Sequence, residues 1–292
     1  MNKNLKKILK KTPIIKIIFE KIDDLRNEVD DLQNERNSQR NEIDNLRNRI
    51  DSLKNKITNI LSSKDNTEHD EQYITEDVPI SKIVSHQKWQ KYLYGIGNKK
   101  GMRILEIGSR EVTAQSVARK EFSNAEYIGF DFYSGNNVDI VGDAHKLSSY
   151  FSKDEKFDII FSSACFEHFA MPWIVAEEIS KLLKIGGFVF VETHFSYSSH
   201  ERPWHFFQFS DQALRVLFSK ALGFECIEAG MSNPIVGRFS SLADDYLKNK
   251  AITGLYCHSE YLGKKIYDVE NFSWESIDLK DVVGEKKYPE PK

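Results

Sequence analysis

The sequence predicts an α/β fold: a mostly parallel sheet with helices on both faces, preceded by a long N-terminal coiled-coil helix. Three observations carry this. Residues 15–60 repeat an apolar seam at alternating spacings of three and four, without a glycine or proline. From residue 103 onward, short apolar strands alternate with helical stretches, the cadence of a parallel sheet covered on both faces. The 292 residues are 40% hydrophobic and 29% charged, which supports a packed core and excludes a wholly disordered chain.

The seam is read as two columns. One is Ile15, Ile22, Val29, Arg36, Ile43, Ile50 and Ile57; the other is Ile18, Leu25, Leu32, Gln39, Leu46, Leu53 and Ile60. At 1.5 Å rise per residue such a helix is roughly 70 Å long, and a stripe so narrow needs a partner helix to cover it. β-branched residues in the first column and leucine in the second favour a parallel homodimer, with Arg36 and Gln39 fixing register. Residues 1–21 hold seven lysines against Glu20 alone, among apolar residues. This basic lead-in suits peripheral contact with an anionic membrane surface, although Pro13 breaks a single amphipathic helix there. Residues 62–79 read as a polar, acidic linker. The expected organisation is therefore 1–61 lead-in and coiled coil, 62–79 linker, and 80–292 globular domain.

Within the globule, 80–94 looks helical. Strands are expected at 103–108, 127–131, 138–144, 157–163, 188–194 and 224–230. Helices are expected over 114–120, over 174–183 before Gly186-Gly187, and from a Ser210 cap to Phe218. In such sheets ligands bind beyond the carboxyl ends of the strands, and the polar residues fall there. Glu106 and Gly108 close the first strand, Asp131 the second, and Asp143 follows the third. Gly108 permits a close backbone approach to a ligand, and Asp131 can accept hydrogen bonds from ribose hydroxyls.

Several classes are excluded. A net charge of −3 provides no bulk positive field, so no nucleic-acid partner is expected. Cys165, Cys226 and Cys257 are widely spaced, without a CxxC pair, which predicts neither a disulfide framework nor a metal site and fits a reducing cytoplasm. No apolar run approaches the ~20 residues of a membrane span, and the N-terminus lacks the features of a secretory signal. The G-x-G-x-x-G of nicotinamide binding and the Walker phosphate loop are both missing.

The segments ILEIGSR, YIGFDFY, VGDAHKL, FDIIFSSACFEHF and LLKIGGFVFVETH resemble the class I S-adenosylmethionine-dependent methyltransferases, in the methyltransferase type 11 group, over about residues 85–265. The resemblance implies a Rossmann-like domain and S-adenosylmethionine as cofactor. It implies cofactor contacts at Glu106, Gly108 and Ser109, at Asp131 for the ribose, and at Asp143 and Ala144 for the adenine. It places Ser163 to His168 beside the sulfonium. One departure stands out: the usual loop has three alternating glycines, and Glu106-Ile107-Gly108-Ser109-Arg110-Glu111 keeps one.

The stretch 192–210 follows the fifth strand, which is the substrate position in the resembled family. It carries His194, Tyr197, His200, Glu201, Arg202, Trp204 and His205. An alcohol acceptor needs a base, and imidazole titrates in the right range. His194 and His200 are the first candidates and His168 the next, with Glu201, Arg202, Trp204 and His205 as substrate contacts. The expected activity is O-methylation of a saccharide or lipid-linked glycan. Expected with it are a glycan-assembly partner and a cytoplasmic location, peripheral at the inner membrane surface. The alternatives are a small-metabolite or quinone methyltransferase, or a non-catalytic coiled-coil scaffold.

Overall fold

The structure, a computed structural model, describes residues 13–63, 70–75, 77–112 and 115–283. The lead-in before Pro13, linker residues 64–69 and Ala114 lie outside the described residues. The chain divides into two compact units, Met1–His69 and Asp70–Lys292. The stretch from Asp70 to Pro79, read above as linker, lies with the globule: Gly254 N donates to Tyr73 O at 2.7 Å, and Met231 N donates to Pro79 O at 2.8 Å.

The described residues of the first unit form one helix, α1 (Pro13–Ser63). Its seam residues Ile22, Leu25, Val29, Leu32, Ile43, Leu46, Ile50 and Leu53 are all exposed in the single chain. The side chains of Ile15, Ile57 and Ile60 lie outside the described residues. Ion pairs such as Arg26–Asp23, at 3.3 Å, are fully solvated and add little. No helix among the described residues is long and apolar enough to cross a membrane.

The second unit begins with α2 (Trp89–Gly97), β1 (Arg103–Ile107), α3 (Ala118–Glu121), β2 (Glu126–Asp131), β3 (Ile140–Val141) and β4 (Phe157–Ser163). It continues with α4 (Pro172–Leu182), β5 (Leu183–His194), α5 (Asp211–Leu217) and β6 (Phe224–Pro234). Last come a two-stranded ribbon of β7 (Gly237–Arg238) and β8 (Ala251–Ile252), then β9 (Tyr256–Lys265) and α6 (Leu279–Val283). The seven-stranded sheet runs β3-β2-β1-β4-β5-β9-β6, parallel from β3 to β5, with β9 antiparallel to both neighbours. This is the mostly parallel, Rossmann-like sheet expected.

Both faces are buried because the strands are apolar at consecutive positions. Along β4, Ile159 and Phe161 pack with Trp89 and Leu93 of α2 on one face. Phe157 and Ile160 pack with Val175 and Ile179 of α4 on the other. Ser210 caps α5 as expected, accepting from Ala213 N at 3.1 Å.

The differences from expectation have local causes. The helix expected over 80–94 starts only at Trp89. Before it, the backbone N–H groups of Lys82, Ile83 and Val84 are taken by the Glu228 carboxylate on β6. The helix expected over 114–120 is a short turn, Ala118–Glu121, and the third strand shrinks to two residues. Gly186-Gly187 does not separate α4 from β5 but sits inside the strand. Gly186 adopts φ +87°, and a Cβ on Gly187 would come within 2.9 Å of Asp158 O.

Strand β9 was not anticipated at all. It carries charged residues that are wholly buried, which interrupt its apolar pattern. Glu260 accepts from Ser81 Oγ at 2.7 Å, from the Ser232 hydroxyl, and from His86 N at 3.1 Å. Lys265 Nζ donates to the carbonyls of Ser180 and Leu183 and pairs with Asp268.

Candidate active site

The parallel strands end along one edge, and the residues expected to bind the cofactor lie there. β1 closes on Gly108 at φ +83°. A Cβ here would come 2.6 Å from Cys165 Sγ, so the chain after β1 passes directly over the turn after β4. Asp131 ends β2, largely buried. Its Oδ2 accepts from Arg110 N at 3.2 Å and its Oδ1 from Tyr133 N at 2.9 Å, with Arg110 Nε at 3.4 Å. Asp143 Oδ1 accepts both from His145 N at 2.9 Å and from His145 Nδ1 at 2.7 Å, and these bonds hold the carboxyl below the usual range against the effect of burial. One His145 tautomer serves two bonds, since its Nε2 accepts from Met171 N at 3.2 Å. Asp143 Oδ2 has no partner among the described residues, and Ala144 beside it is buried. A glycine that admits no Cβ, the acid expected to meet the ribose and the acid expected to meet the adenine, one of its oxygens unpaired among the described residues, fit S-adenosylmethionine.

Two expected cofactor residues face elsewhere. Ser109 is turned into the sheet, with its Oγ buried against Gly129 and without a partner. Glu106 is also turned away from the strand ends. Tyr127 donates its hydroxyl to Glu106, and Asn137 Nδ2 donates to the Tyr127 oxygen at 2.9 Å. Burial pushes Glu106 up to about 7, against smaller opposing effects of Tyr127, Asn137 and Arg119. Ser163, at the end of β4, donates to Glu192 Oε1 at 2.8 Å rather than standing free.

Beyond β4 the chain turns through Ala164 at φ +49° into a single 3-10 turn, Phe166–His168. Glu167 in this turn is wholly buried. Thr193 Oγ1 donates to its Oε2 at 2.7 Å, and its Oε1 lies 2.7 Å from His194 Nδ1, at an angle short of a hydrogen bond. Burial raises Glu167, but His194 and Thr193 together outweigh it and hold the carboxyl below the usual range.

The loop after β5 folds back onto this turn, with Phe206 N and Phe207 N both donating to Glu167 O, at 2.9 and 3.2 Å. It brings four expected histidines together. The His200 ring lies 5.0 Å from His168, 4.6 Å from His205 and 5.4 Å from His194. His168 Nδ1 meets Trp204 O at 2.8 Å, and His200 Nδ1 meets Ser198 O at 2.9 Å. A carbonyl only accepts, so in both rings Nδ1 carries the proton and Nε2 keeps the lone pair. His205 is lowered, first by burial and then by the imidazoles of His200 and His168. Glu201, at φ +47°, places a carboxylate oxygen 3.8 Å from His168 Nε2, while Arg202 is exposed. Trp204 is exposed and stands 6.4 Å from Phe132, which follows β2, whereas Phe209 is core.

Sequence reasoning missed Glu167, Glu192, His86 and His258. His86 Nδ1 meets Glu192 Oε2 at 2.8 Å and its ring stacks on His258 at 4.3 Å, from segments far apart in the chain. For Glu167 a signal existed: it precedes His168 in the FEHF segment.

The order of strands defines a Rossmann-like, mostly parallel α/β domain with acids at its strand ends. Residues 85–229 match the family model described as a methyltransferase domain. The globular unit is a class I methyltransferase domain and the chain an S-adenosylmethionine-dependent methyltransferase, with S-adenosylmethionine as cofactor. Similar solved structures include a SAM-dependent methyltransferase from Archaeoglobus fulgidus, at 16% identity and TM-score 0.43, covering 61% of this chain and 93% of that one. The YcgJ protein from Bacillus subtilis matches at 17% identity and TM-score 0.42, covering 62% and 100%. A methyltransferase in complex with the Haloferax volcanii activator Trm112 matches at 17% identity and TM-score 0.41, covering 63% and 92%. No curated protein matches the sequence.

The partly buried Glu106 makes stability depend on pH. Its folded value of about 7 exceeds the ordinary 4.5, so the fold holds the proton more tightly than the unfolded chain. Stability therefore falls as pH rises from about 4.5 to about 7, by roughly 3 kcal/mol from this group. Glu106→Gln removes the charge. In urea unfolding it is expected to gain on the wild type at pH 8 and not at pH 4.5; an equal difference at both pH values contradicts this.

Proposed function

We propose that the enzyme transfers a methyl group to an oxygen of a saccharide or lipid-linked glycan. The observation that carries this reading is the loop after β5. It sets imidazoles and the exposed Trp204 at the strand ends that hold Asp131 and Asp143. Phe132, Tyr133, Tyr197 and Trp204 are all exposed there, and exposed aromatic faces suit stacking on a sugar ring. The cofactor supplies an electrophilic methyl on a sulfonium. The chain's own task is to position the acceptor, take its proton and exclude water.

His168 suits the proton-accepting role best. Its Nε2 lone pair is free, its Nδ1 is anchored on Trp204 O, and it is less buried than His194. This reverses the order expected from sequence, where His194 and His200 came first. Of those two, His194 is buried beside Glu167, and His200 shares a cation-ligand cluster with them. Glu201, Arg202, Trp204 and His205 are proposed to contact the acceptor. Asp131 is proposed to hold the ribose, and Gly108, Asp143 and Ala144 the rest of the nucleoside.

Calorimetry with S-adenosylhomocysteine tests the cofactor site. Binding is expected in the wild type, with a loss of roughly 1–3 kcal/mol in Asp131→Ala. Absence of heat at millimolar ligand sinks the assignment. Methyl transfer assayed against lipid-linked oligosaccharides, sugar nucleotides and quinones identifies the acceptor, and a quinone or small-metabolite product overturns the glycan reading. With the acceptor in hand, His168→Ala is expected to lose ~10²–10⁴ in turnover while product affinity stays near wild type. Full turnover in this variant removes His168 from the role.

The exposed seam of α1 supports a parallel homodimer through residues 15–60, ahead of the globular domain. We place the dimer in the cytoplasm beside glycan-assembly proteins, its basic lead-in against the inner membrane surface. Light scattering is expected to give a dimer for the full chain and a monomer for a chain starting at Asp70. A monomeric full chain at micromolar concentration refutes the pairing.

A further inference from the structure

We propose that Glu167, His194 and His200 form a binding site for a divalent first-row transition cation such as Mn²⁺, Fe²⁺, Co²⁺ or Zn²⁺. One ligand atom from each residue falls within 4.8 Å of the others. They come from three segments: the turn after β4, the end of β5 and the loop that follows. None of the spacings between them marks a metal motif, which is why the sequence pointed to no metal.

Two independent features point to a ligand. Glu167 Oε1 and His194 Nδ1 are both buried, face each other at 2.7 Å outside hydrogen-bond geometry, and have no other partner among the described residues. Buried polar atoms are nearly always satisfied, and a cation between them would satisfy both lone pairs at once. The surrounding groups are also arranged as metal ligands require. Thr193 Oγ1 holds the other carboxylate oxygen at 2.7 Å, and Ser198 O holds His200 Nδ1 at 2.9 Å, which leaves His200 Nε2 as the donor atom. Two imidazoles and one carboxylate select borderline transition cations over Mg²⁺ and Ca²⁺, which prefer oxygen alone.

The second histidine cluster, His86, Glu192 and His258, does not share these features. His86 Nδ1 and Glu192 Oε2 satisfy each other at 2.8 Å, Ser163 holds Glu192 Oε1, and His258 Nδ1 meets Asn233 at 3.0 Å.

Three protein ligands leave coordination positions open. His168 Nε2 lies 4.0 Å from Glu167 Oε1, so the proposed proton acceptor stands at the edge of the site. Resting on the methyltransferase reading, the open positions would take acceptor hydroxyl oxygens, lowering their proton affinity beside that imidazole.

The test uses the full chain stripped by chelator and titrated with Co²⁺, followed by visible absorption and calorimetry. S-adenosylhomocysteine binding is measured on the same samples. One Co²⁺ per chain with ligand-field bands of histidine coordination is expected. Binding is expected to weaken at least ~100-fold in Glu167→Gln and in His200→Ala, and to stay unchanged in His86→Ala. His200 lies on a loop, so its replacement empties no core, and retained S-adenosylhomocysteine binding verifies the fold. Wild-type protein that binds S-adenosylhomocysteine but no Co²⁺ overturns the site. So does Co²⁺ binding that survives His200→Ala and is lost in His86→Ala. Co²⁺ binding with the expected variant pattern but no S-adenosylhomocysteine binding supports the cation site and refutes only the cofactor assignment.

Discussion

Glu167 is the point on which the active edge is built. A carboxylate wholly removed from water is tolerated only when its oxygens are engaged, and here the engagement ties three segments together. The Thr193 hydroxyl ties one oxygen to the end of β5, His194 faces the other at 2.7 Å outside hydrogen-bond geometry, and the backbone carbonyl of Glu167 receives two N–H groups from the loop beyond. Without that residue in that turn, the strand ends would still form a sheet edge. The imidazoles would have nothing to gather around.

The same edge is closed from the other side by the approach of Gly108 to Cys165. The loop after β1 keeps one glycine where the family resemblance leads one to expect three, and the geometry shows why one suffices for the turn. Only residue 108 has both the left-handed conformation and a neighbour too near to admit a Cβ. Arg110 and Glu111 follow on ordinary backbone, and Arg110 is used: it pairs with Asp131 and lies over Tyr133, with its guanidinium 5.7 Å from the ring.

Local patterning in the sequence was enough for the sheet up to β6 and for the acids at its strand ends, because consecutive apolar positions and terminal carboxylates are neighbours in the chain. It failed where a distant side chain decides. Residues 82–84 do not form a helix because Glu228 on β6 takes their amides. β9 went unread because Glu260 and Lys265 look like surface residues until their partners, Ser81, Ser232 and the carbonyls of Ser180 and Leu183, are brought to them. Ser109 and Glu106 show the same limit. Their place at the end of β1 suggested a ligand, but both side chains lie against β2: Glu106 takes the Tyr127 hydroxyl, and Ser109, redirected by the left-handed Gly108, packs against Gly129.

The position of β9 governs how the chain can be made. It lies between β5 and β6, although it is the last strand in the sequence. A ribosome delivers β1 to β5 first, and they can pair in order. β5 must then keep one unpaired, strongly apolar edge, including Phe188, Val189, Phe190 and Val191, until Tyr256–Lys265 has emerged. During synthesis that edge is open to pairing with another nascent chain. Completion of the sheet therefore depends on its last strand arriving before that encounter. Termination between the end of β5 and residue 256 leaves β1 to β5 made and the sheet without the strand that joins β5 to β6.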